Sequence, residues 1–408
     1  MKNHNFTTQL ADIHWDQDFN VPLELLINWN ASDKTAKTHG ALLAPFYTRG
    51  TVVSSDTSGF TKLSEEHHVL AVTYFIHEPK EIIYAMGRAI GGEAIGVWEA
   101  DNTAMFYAEY IDLELIIEQM ARAQHLINET CRVRVGIGIY NQKFLKVAKR
   151  FAGKAYELID GITEDDISAK ELAVIAPGKR KMAYLENYVS GKKEILEGTP
   201  VWSLGYHNLG ADAIIGTDVA YPAPFSAGFI HLLKNTNLSN PVHLDKICAE
   251  LETERQVCFI KVHLPKTMLL LSRLTFEAMI SDLFRRCIEP FALEVARNTG
   301  QLFVILTSDL HPLIEFLKLF GGEIKKAGFV FSAGIAKSLI LMEHYGTKSN
   351  MISGMGINIA SKLAEDVGEA HTLLVHESAG KPTGDSTVFT FSKPVSHITL
   401  SGWGIRIA

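Results

Sequence analysis

Glu65, Glu66, His67 and His68 place two carboxylates and two imidazoles side by side, and both kinds of side chain bind metal ions. They stand at the start of a predicted helix. Neighbouring residues of a helix point about 100° apart, so His67 and His68 would rarely reach the same ion. We therefore predict a solvated helix surface here rather than a metal site.

Glycine-rich phosphate-binding motifs are missing from the sequence. It contains neither GxGxxG nor GxxxxGK(S/T), and it has no GxSxG nucleophile turn. This argues against a dinucleotide-binding enzyme, a P-loop nucleotidase and a serine hydrolase of the α/β type.

Asp56 stands in a setting that can present a carboxylate for chemistry. It ends a short apolar strand through Val53 and precedes a turn at Ser58 and Gly59. A strand that ends in this way presents the carboxylate at the edge of a sheet. The alternative is that Asp56 caps the helix predicted to start near Lys62.

Composition indicates an ordinary globular chain. Of the 408 residues, 47% are hydrophobic and 21% are charged, and the length predicts two or three domains. The net charge of −7 provides no basic field for nucleic acid or an anionic bilayer. Four scattered cysteines, a start without an apolar run and the lack of a long apolar stretch predict a reduced, cytoplasmic protein without a membrane span.

The periodicity from residue 51 onward predicts strand, helix pair, hairpin, helix, strand, helix and strand. The hairpin runs from Ala94 to Trp98, turns at Asp101-Asn102 and returns over Ala104 to Tyr110. Apolar residues at helical spacing follow, and then a strand with strict alternation. These are Leu113, Ile116, Ile117, Met120 and Ile127 in the helix, and Val133, Val135, Ile137 and Ile139 in the strand.

The same order recurs further along the chain. Strands are predicted over Gln256–Val262, Leu302–Thr307 and Gly328–Ile335, with Leu274–Asn298 helical and broken at Pro290. Eighty residues separate Asp56 from Gly136, and 73 separate Lys261 from Gly334. We predict two copies of one α+β fold, each a sheet with helices on one face, built from split β-α-β (ferredoxin-like) units.

The predicted organisation has five parts. Residues 1–50 form an N-terminal extension, 51–176 the first domain, 177–253 an ordered connecting excursion, 254–380 the second domain and 381–408 a C-terminal tail. The excursion contains GYHNLGADAIIGTDVAYPAPFSAGF, whose glycine, proline and aromatic content indicates an ordered segment.

Two motifs carry a family resemblance. VVSSDTSGFTKLSEE, followed eighty residues later by VRVGIGI, and GMGINIASKLAED resemble the first-strand and final-helix motifs of class III nucleotidyl cyclase domains. The resemblance covers about 51–176 and 256–378. It implies two such domains in tandem, paired head to tail, with ATP or GTP between them.

The resemblance also implies a mechanism. In that family two aspartates hold two Mg²⁺ or Mn²⁺ ions, and the ribose 3′ oxygen attacks the α-phosphate, releasing pyrophosphate. Asp56 occupies the first aspartate position, whereas the second falls on Gly92 in RAIGGEAIGVW. The adjacent Glu93 is a candidate replacement, since GGE also resembles the turn of diguanylate cyclases. The alternative is that Glu93 is a solvent-facing turn residue.

Other family positions are partly kept. Asn358 occupies the ribose-orienting position and Lys362 the position of a transition-state arginine, where lysine keeps the charge but loses the bidentate fork. Arg88 and Arg297 occupy the base-reading lysine positions of the two copies, and Lys261 replaces the first metal aspartate in the second copy. Met351 replaces the base-selecting aspartate. The alternative for Asn358 and Lys362 is an ordinary helix surface.

Three functional hypotheses follow. The first is a catalytically degenerate tandem cyclase-like protein, acting as a regulatory module that binds a nucleotide or, through 177–253, a protein partner. The second is an active, unorthodox cyclase, a phosphorus-oxygen lyase with metal on Asp56 and Glu93 and with Asn358 and Lys362 completing the site. The third is a cleft that binds another small anion, with Lys261, Arg88 and Arg297 as counter-charges.

Overall fold

The computed structural model describes most of the chain as two compact units. The first unit is 43–244, and the second is 245–408 together with the segment that ends at Leu42. The described residues are 21–58, 63, 66–96, 98, 102–147, 150–165, 167–175, 189–195, 199–205, 231–232, 235–236, 240–265, 267–345, 349–382, 388–395 and 398–407.

The described chain begins with two helices, α1 (Leu23–Ala31) and α2 (Ala36–Leu43). The first unit then contains helices α3 (Val69–Ala89), α4 (Leu113–Thr130) and α5 (Lys154–Asp165). Its strands are β1 (Tyr47–Thr57), β2 (Glu93–Ala94), β3 (Thr103–Ala108), β4 (Val135–Val147), β5 (Arg150–Ala152), β6 (Leu172–Ile175), β7 (Val189–Ile195) and β8 (Thr199–Leu204).

The strands of the first unit form one mixed sheet in the order β2-β3-β1-β4-β6-β8-β7, and β5 pairs with β4. Only the β4–β6 pair is parallel among the described pairings, because α5 connects these two strands in the chain.

Helices cover both faces of this sheet, whereas the sequence predicts helices on one face. Val53 packs with α3 and α4, while its neighbour Val52 packs on the α5 side, and both are fully buried. The sequence of β4 does not indicate that a second face of the sheet is covered, because the β4 residues on that face are glycines. A methyl group on Gly138 would meet the Thr163 hydroxyl of α5, so glycine is what lets α5 approach the strand.

The second unit repeats this arrangement of strands. Its helices are α6 (Pro241–Leu251), α7 (Leu270–Ile288), α8 (Leu310–Lys326) and α9 (Met355–Lys362), and a π-helical turn at Leu363–Val367 extends α9. Its strands are β9 (Glu252–His263), β10 (Glu294–Asn298), β11 (Leu302–Thr307), β12 (Val330–Tyr345), β13 (Ser349–Ser353), β14 (Thr372–His376), β15 (Phe389–Val395) and β16 (Ile398–Arg406).

The second sheet has the order β10-β11-β9-β12-β14-β16-β15, with β13 paired to β12, which is the order of the first sheet. The fold is therefore α+β with two mixed sheets. The helix predicted over Leu274–Asn298 is wrong in its second half, since α7 ends at Ile288 and residues 294–298 form β10.

The unit boundaries also differ from the predicted ones. Strands β7 and β8, predicted as part of the excursion, extend the first sheet beyond β6, and β15 and β16, predicted as a tail, extend the second sheet beyond β14. The excursion's residues 206–230 lie outside the described part of the chain.

The segment 21–42 belongs to the second unit because α1 and α2 pack on α7. The Trp29 indole nitrogen donates to Ser272 Oγ at 3.1 Å, and the Leu271 amide donates to His39 Nε2 at 3.4 Å. Trp29 is fully buried by this contact.

A buried lysine fixes the connection between β2 and β3. Lys80 on α3 is 2% exposed, and its ammonium donates to the Trp98 carbonyl at 3.0 Å. The Trp98 indole in turn donates to the Ala104 carbonyl of β3 at 3.1 Å. No helix in the described ranges is both long enough and apolar enough to cross a membrane.

Candidate functional site

Asp56 lies at the end of β1, near the middle of the first sheet. It is half-buried between the buried residues Ser55 and Thr57, and it pairs with Gly136 on β4. The hydroxyls of Ser55 and Thr103 are 2.6 Å apart and tie this end of β1 to β3. Asp56 therefore stands at the end of the β1–β4 pairing, next to the pair Thr57–Val135.

Glu93 is not brought to Asp56. In the ladder Glu93 pairs with Phe106, and Phe106 pairs with Val52, four residues before Asp56 on β1. At about 3.3 Å per residue, this offset is about 13 Å along the strand, with β3 also lying between β2 and β1. Glu93 instead accepts from the Lys146 ammonium at 3.2 Å.

Gly92 and Arg88 lie at a helix end and not in the hairpin turn. Helix α3 continues to Ala89, Gly91 has a φ of 88°, and the Gly92 amide donates to the Gly87 carbonyl at 2.9 Å. Arg88 donates to the Gly92 carbonyl at 3.0 Å, just beyond the end of the helix. Gly92 and Arg88 therefore belong to the C-terminal end of α3.

Thr103 at the start of β3 pairs with Ser55, the residue before Asp56 on β1. Asp101 stands two residues before Thr103 in the sequence and lies outside the described residues.

Lys261 takes the place of Asp56 in the second sheet. It pairs with Ser332 on β12, as Asp56 pairs with Gly136 on β4. The residue of the second unit that corresponds to Gly136 is therefore Ser332. The sequence spacing from Lys261 predicts Gly334, which lies two positions later. The Lys261 ammonium forms an ion pair with Glu365 in the π-helical turn after α9.

A short polar chain surrounds this ion pair. Ser332 is fully buried and donates to the Ala364 carbonyl at 2.6 Å, and its hydroxyl is 2.9 Å from His263 Nε2. The pKa of His263 is lowered, first by burial and then by the Lys261 ammonium, while Glu365 opposes the shift. These contacts place a fixed cation, Lys261, where the first unit has a carboxylate.

Asn358 and Lys362 lie one turn apart on α9. Asn358 is exposed and Lys362 is half-buried, and no carboxylate within the described ranges pairs with the Lys362 ammonium. Helix α9 packs closely on β12, because a methyl group on Gly334 would meet the Ala360 carbonyl and the Leu363 Cβ. Arg297 is exposed on β10 beside a bulge that follows Val295, and Met351 lies on β13.

The helix of the first unit at this position is acidic. Helix α5 carries an exposed Glu157 and a half-buried Asp160, and burial raises the pKa of Asp160. Phosphate groups would be repelled by α5, whereas α9 offers an amide and an ammonium.

The described residues do not fit the family's pair of metal ions. Asp56 supplies one carboxylate, and the register keeps Glu93 away from it. No group of three or more His, Cys, Asp or Glu side chains in the described part of the chain could hold a metal ion. We derive no metal-dependent step from these residues.

No protein-family model matches the chain, and no curated protein matches it. Among solved structures, it is similar to a class III adenylyl cyclase-like ATP-binding protein from Pseudomonas aeruginosa, with 10% identity over 82% of this chain and 84% of that one, at a TM-score of 0.46. It is also similar to the adenylyl cyclase CyaB from P. aeruginosa, with 13% identity, 40% and 96% coverage and a TM-score of 0.34.

A third similar structure is the guanylate cyclase domain of RhGC from Catenaria anguillulae in complex with GTP. It is 12% identical, covers 38% of this chain and 96% of that one, and has a TM-score of 0.33. All three TM-scores lie below 0.5.

Proposed function

We propose that this chain is a class III cyclase-related protein, with two cyclase-type domains in tandem, that binds ATP or GTP without cyclising it. The observation that carries the proposal is the pair formed by Asn358 and Lys362 on α9 in the second unit. The two residues lie one turn apart, and no carboxylate within the described ranges pairs with the Lys362 ammonium. An amide and an ammonium group suit ribose hydroxyls and phosphate oxygens.

The same residues argue against efficient cyclisation. Two-metal phosphoryl transfer needs two carboxylates that share the ions, and Glu93 lies too far along the sheet from Asp56. Lys362 lacks the bidentate fork of an arginine, so it would stabilise a pentavalent phosphorus less well. If the protein binds the nucleotide without converting it, a regulatory module would signal through nucleotide binding alone.

The test is isothermal titration with ATP and with GTP, each with Mn²⁺, followed by assay of the same samples for cyclic nucleotide and pyrophosphate. We expect binding without product. Lys362→Ala should weaken binding about tenfold, the loss of one charge-assisted contact worth about 1.5 kcal/mol. Lys318→Ala is the matched control, because it removes a lysine that pairs with Glu315 on the surface of α8. Equal affinity of Lys362→Ala and wild type would contradict the proposal.

A catalytic alternative is favoured by one sequence observation. Asp101 precedes by two residues the strand residue Thr103, which pairs beside Asp56. Formation of cyclic nucleotide by the wild type would support this alternative. Loss of product in Asp101→Asn but not in Glu93→Gln would then identify Asp101 as the partner of Asp56.

A further inference from the structure

The pairing of the start of β1 with β4 continues past β3. The last β1–β3 pair is Gly50–Ala108, and the last described β4–β6 pair is Tyr140–Ile175. The β1–β4 pairing runs on to Tyr47–Leu145, where β5 joins β4 through the pair Leu145–Ala152. Among the described strands, the pairs Arg49–Lys143 and Thr48–Phe144 therefore form a two-stranded ribbon between the end of β3 and the start of β5.

Two cations lie directly opposite each other on this ribbon. Arg49 on β1 pairs in register with Lys143 on β4, and both side chains are exposed. Like charges in this position repel each other and destabilise a sheet. No carboxylate within the described ranges forms an ion pair with either, whereas Lys146 nearby pairs with Glu93.

An exposed tyrosine accompanies the cations. The Lys143 ammonium lies 4.7 Å from the centroid of the Tyr47 ring, and that side chain is 43% exposed. Tyrosine and arginine are enriched at the centres of protein interfaces.

The second unit carries different residues at the corresponding pair. The pair on β9 and β12 that corresponds to Arg49–Lys143 is Glu254–Leu339, and Glu254 forms an ion pair with Lys337. The repulsion between Arg49 and Lys143 is therefore a property of the first unit and is not required by the fold.

We propose that Tyr47, Arg49 and Lys143, which we call the ribbon surface, dock an acidic segment of a partner protein. Two adjacent cations on an open strand pair suit carboxylates of an extended chain, whereas small anions are bound in concave sites. A nucleic acid or an anionic bilayer needs a broad basic field, and this chain has a net charge of −7.

The binding test uses the full chain and a fluorescein-labelled deca-glutamate peptide, followed by fluorescence anisotropy at low ionic strength. We expect saturable binding that the double variant Arg49→Ala/Lys143→Ala weakens at least about tenfold. The matched control is Lys318→Ala/Lys326→Ala, which removes the same charge from residues of α8 that pair with Glu315 and Glu323. Absence of binding by the wild type, or an equal loss in the control, would overturn the proposal.

Two further measurements separate docking from mere surface charge. Relief of the Arg49–Lys143 repulsion should raise the melting temperature of Arg49→Ala by about 1 °C while the peptide affinity falls. A lower melting temperature would contradict the repulsion on which the proposal depends. Tighter binding of a single-stranded oligonucleotide or of phosphatidylserine vesicles than of the peptide, lost in the same double variant, would overturn the assignment to an acidic protein segment.

Discussion

Lys261 and Glu365 form an ion pair at the place in the second sheet where the first sheet has Asp56. An internal ammonium there neutralises a carboxylate without a metal ion. The two units thus carry opposite charges at matching positions of one strand order.

Lys261→Asp should convert this place into a site for a divalent cation. The variant would put a second carboxylate beside Glu365 and remove the ammonium, and Mn²⁺ prefers carboxylate oxygens. We expect Mn²⁺ to raise the melting temperature of the variant by a few degrees and to leave the wild type unchanged, because a ligand stabilises the state that binds it. Lys261→Asn is the control, and an equal response of the two variants to Mn²⁺ would show that the new carboxylate is not involved.

Gly334→Ala should destabilise the second unit by about 1–3 kcal/mol, the usual cost of overpacking. The added methyl group would collide with the Ala360 carbonyl and Leu363 of α9. Gly322→Ala is the control, because space is open around that residue of α8 and alanine favours a helix by up to about 1 kcal/mol. Urea denaturation should therefore shift in opposite directions for the two variants, and parallel shifts would refute the packing argument.

Lys80→Met should cost more stability than Arg88→Met. Both residues donate to a backbone carbonyl, but Lys80 is buried with the Trp98 carbonyl, whereas Arg88 is exposed to solvent. Loss of a donor to a buried carbonyl costs about 1–3 kcal/mol, and water can replace the donor at an exposed one. The measurement is the free energy of unfolding in urea. Similar values for the two variants would mean that Lys80 does not fix the β2–β3 connection.

Acidification should weaken the second unit. The pKa of His263 is held below its ordinary value of 6.5 in the folded state by burial and by Lys261. The unfolded chain therefore takes up a proton at a higher pH, so the stabilising contribution is present above pH 6.5 and is lost as the pH falls below it. His39, His371 and His376 are shifted in the same direction.

The variant His263→Gln tests how much of this pH dependence of stability is due to His263. We expect the free energy of unfolding of the variant to fall less between pH 7.5 and pH 5.5 than that of the wild type. An unchanged difference between the two pH values would assign the effect to the other histidines.

Periodicity predicts the elements whose pattern is unambiguous. The apolar residues of α4 are buried as predicted, and the strand through Val135, Ile137 and Ile139 is β4. The correspondence of Asp56 and Lys261 can also be found from the sequence, because both lie within the last three residues of the first long strand of a unit.

Short or ambiguous elements are not predictable in this way. Strand β2 has two residues, Glu93 and Ala94, whereas the apolar run predicts a strand over Ala94 to Trp98. Residues 294–298 contain helix-forming side chains, and only pairing with β11 makes them a strand. The Lys261–Glu365 pair joins residues 104 positions apart, so it depends on the complete fold of the unit.

The contact between Trp29 and Ser272 has a consequence for synthesis on the ribosome. The two residues are 243 positions apart, and every strand of the first unit is made between them. At about 5–20 residues per second, about 12–50 s pass between the synthesis of Trp29 and that of Ser272. The first unit can fold in that interval, whereas α1 emerges with an apolar face that nothing yet covers. We therefore expect the apolar residues of α1 to stay accessible to chaperones on nascent chains until α7 has been made.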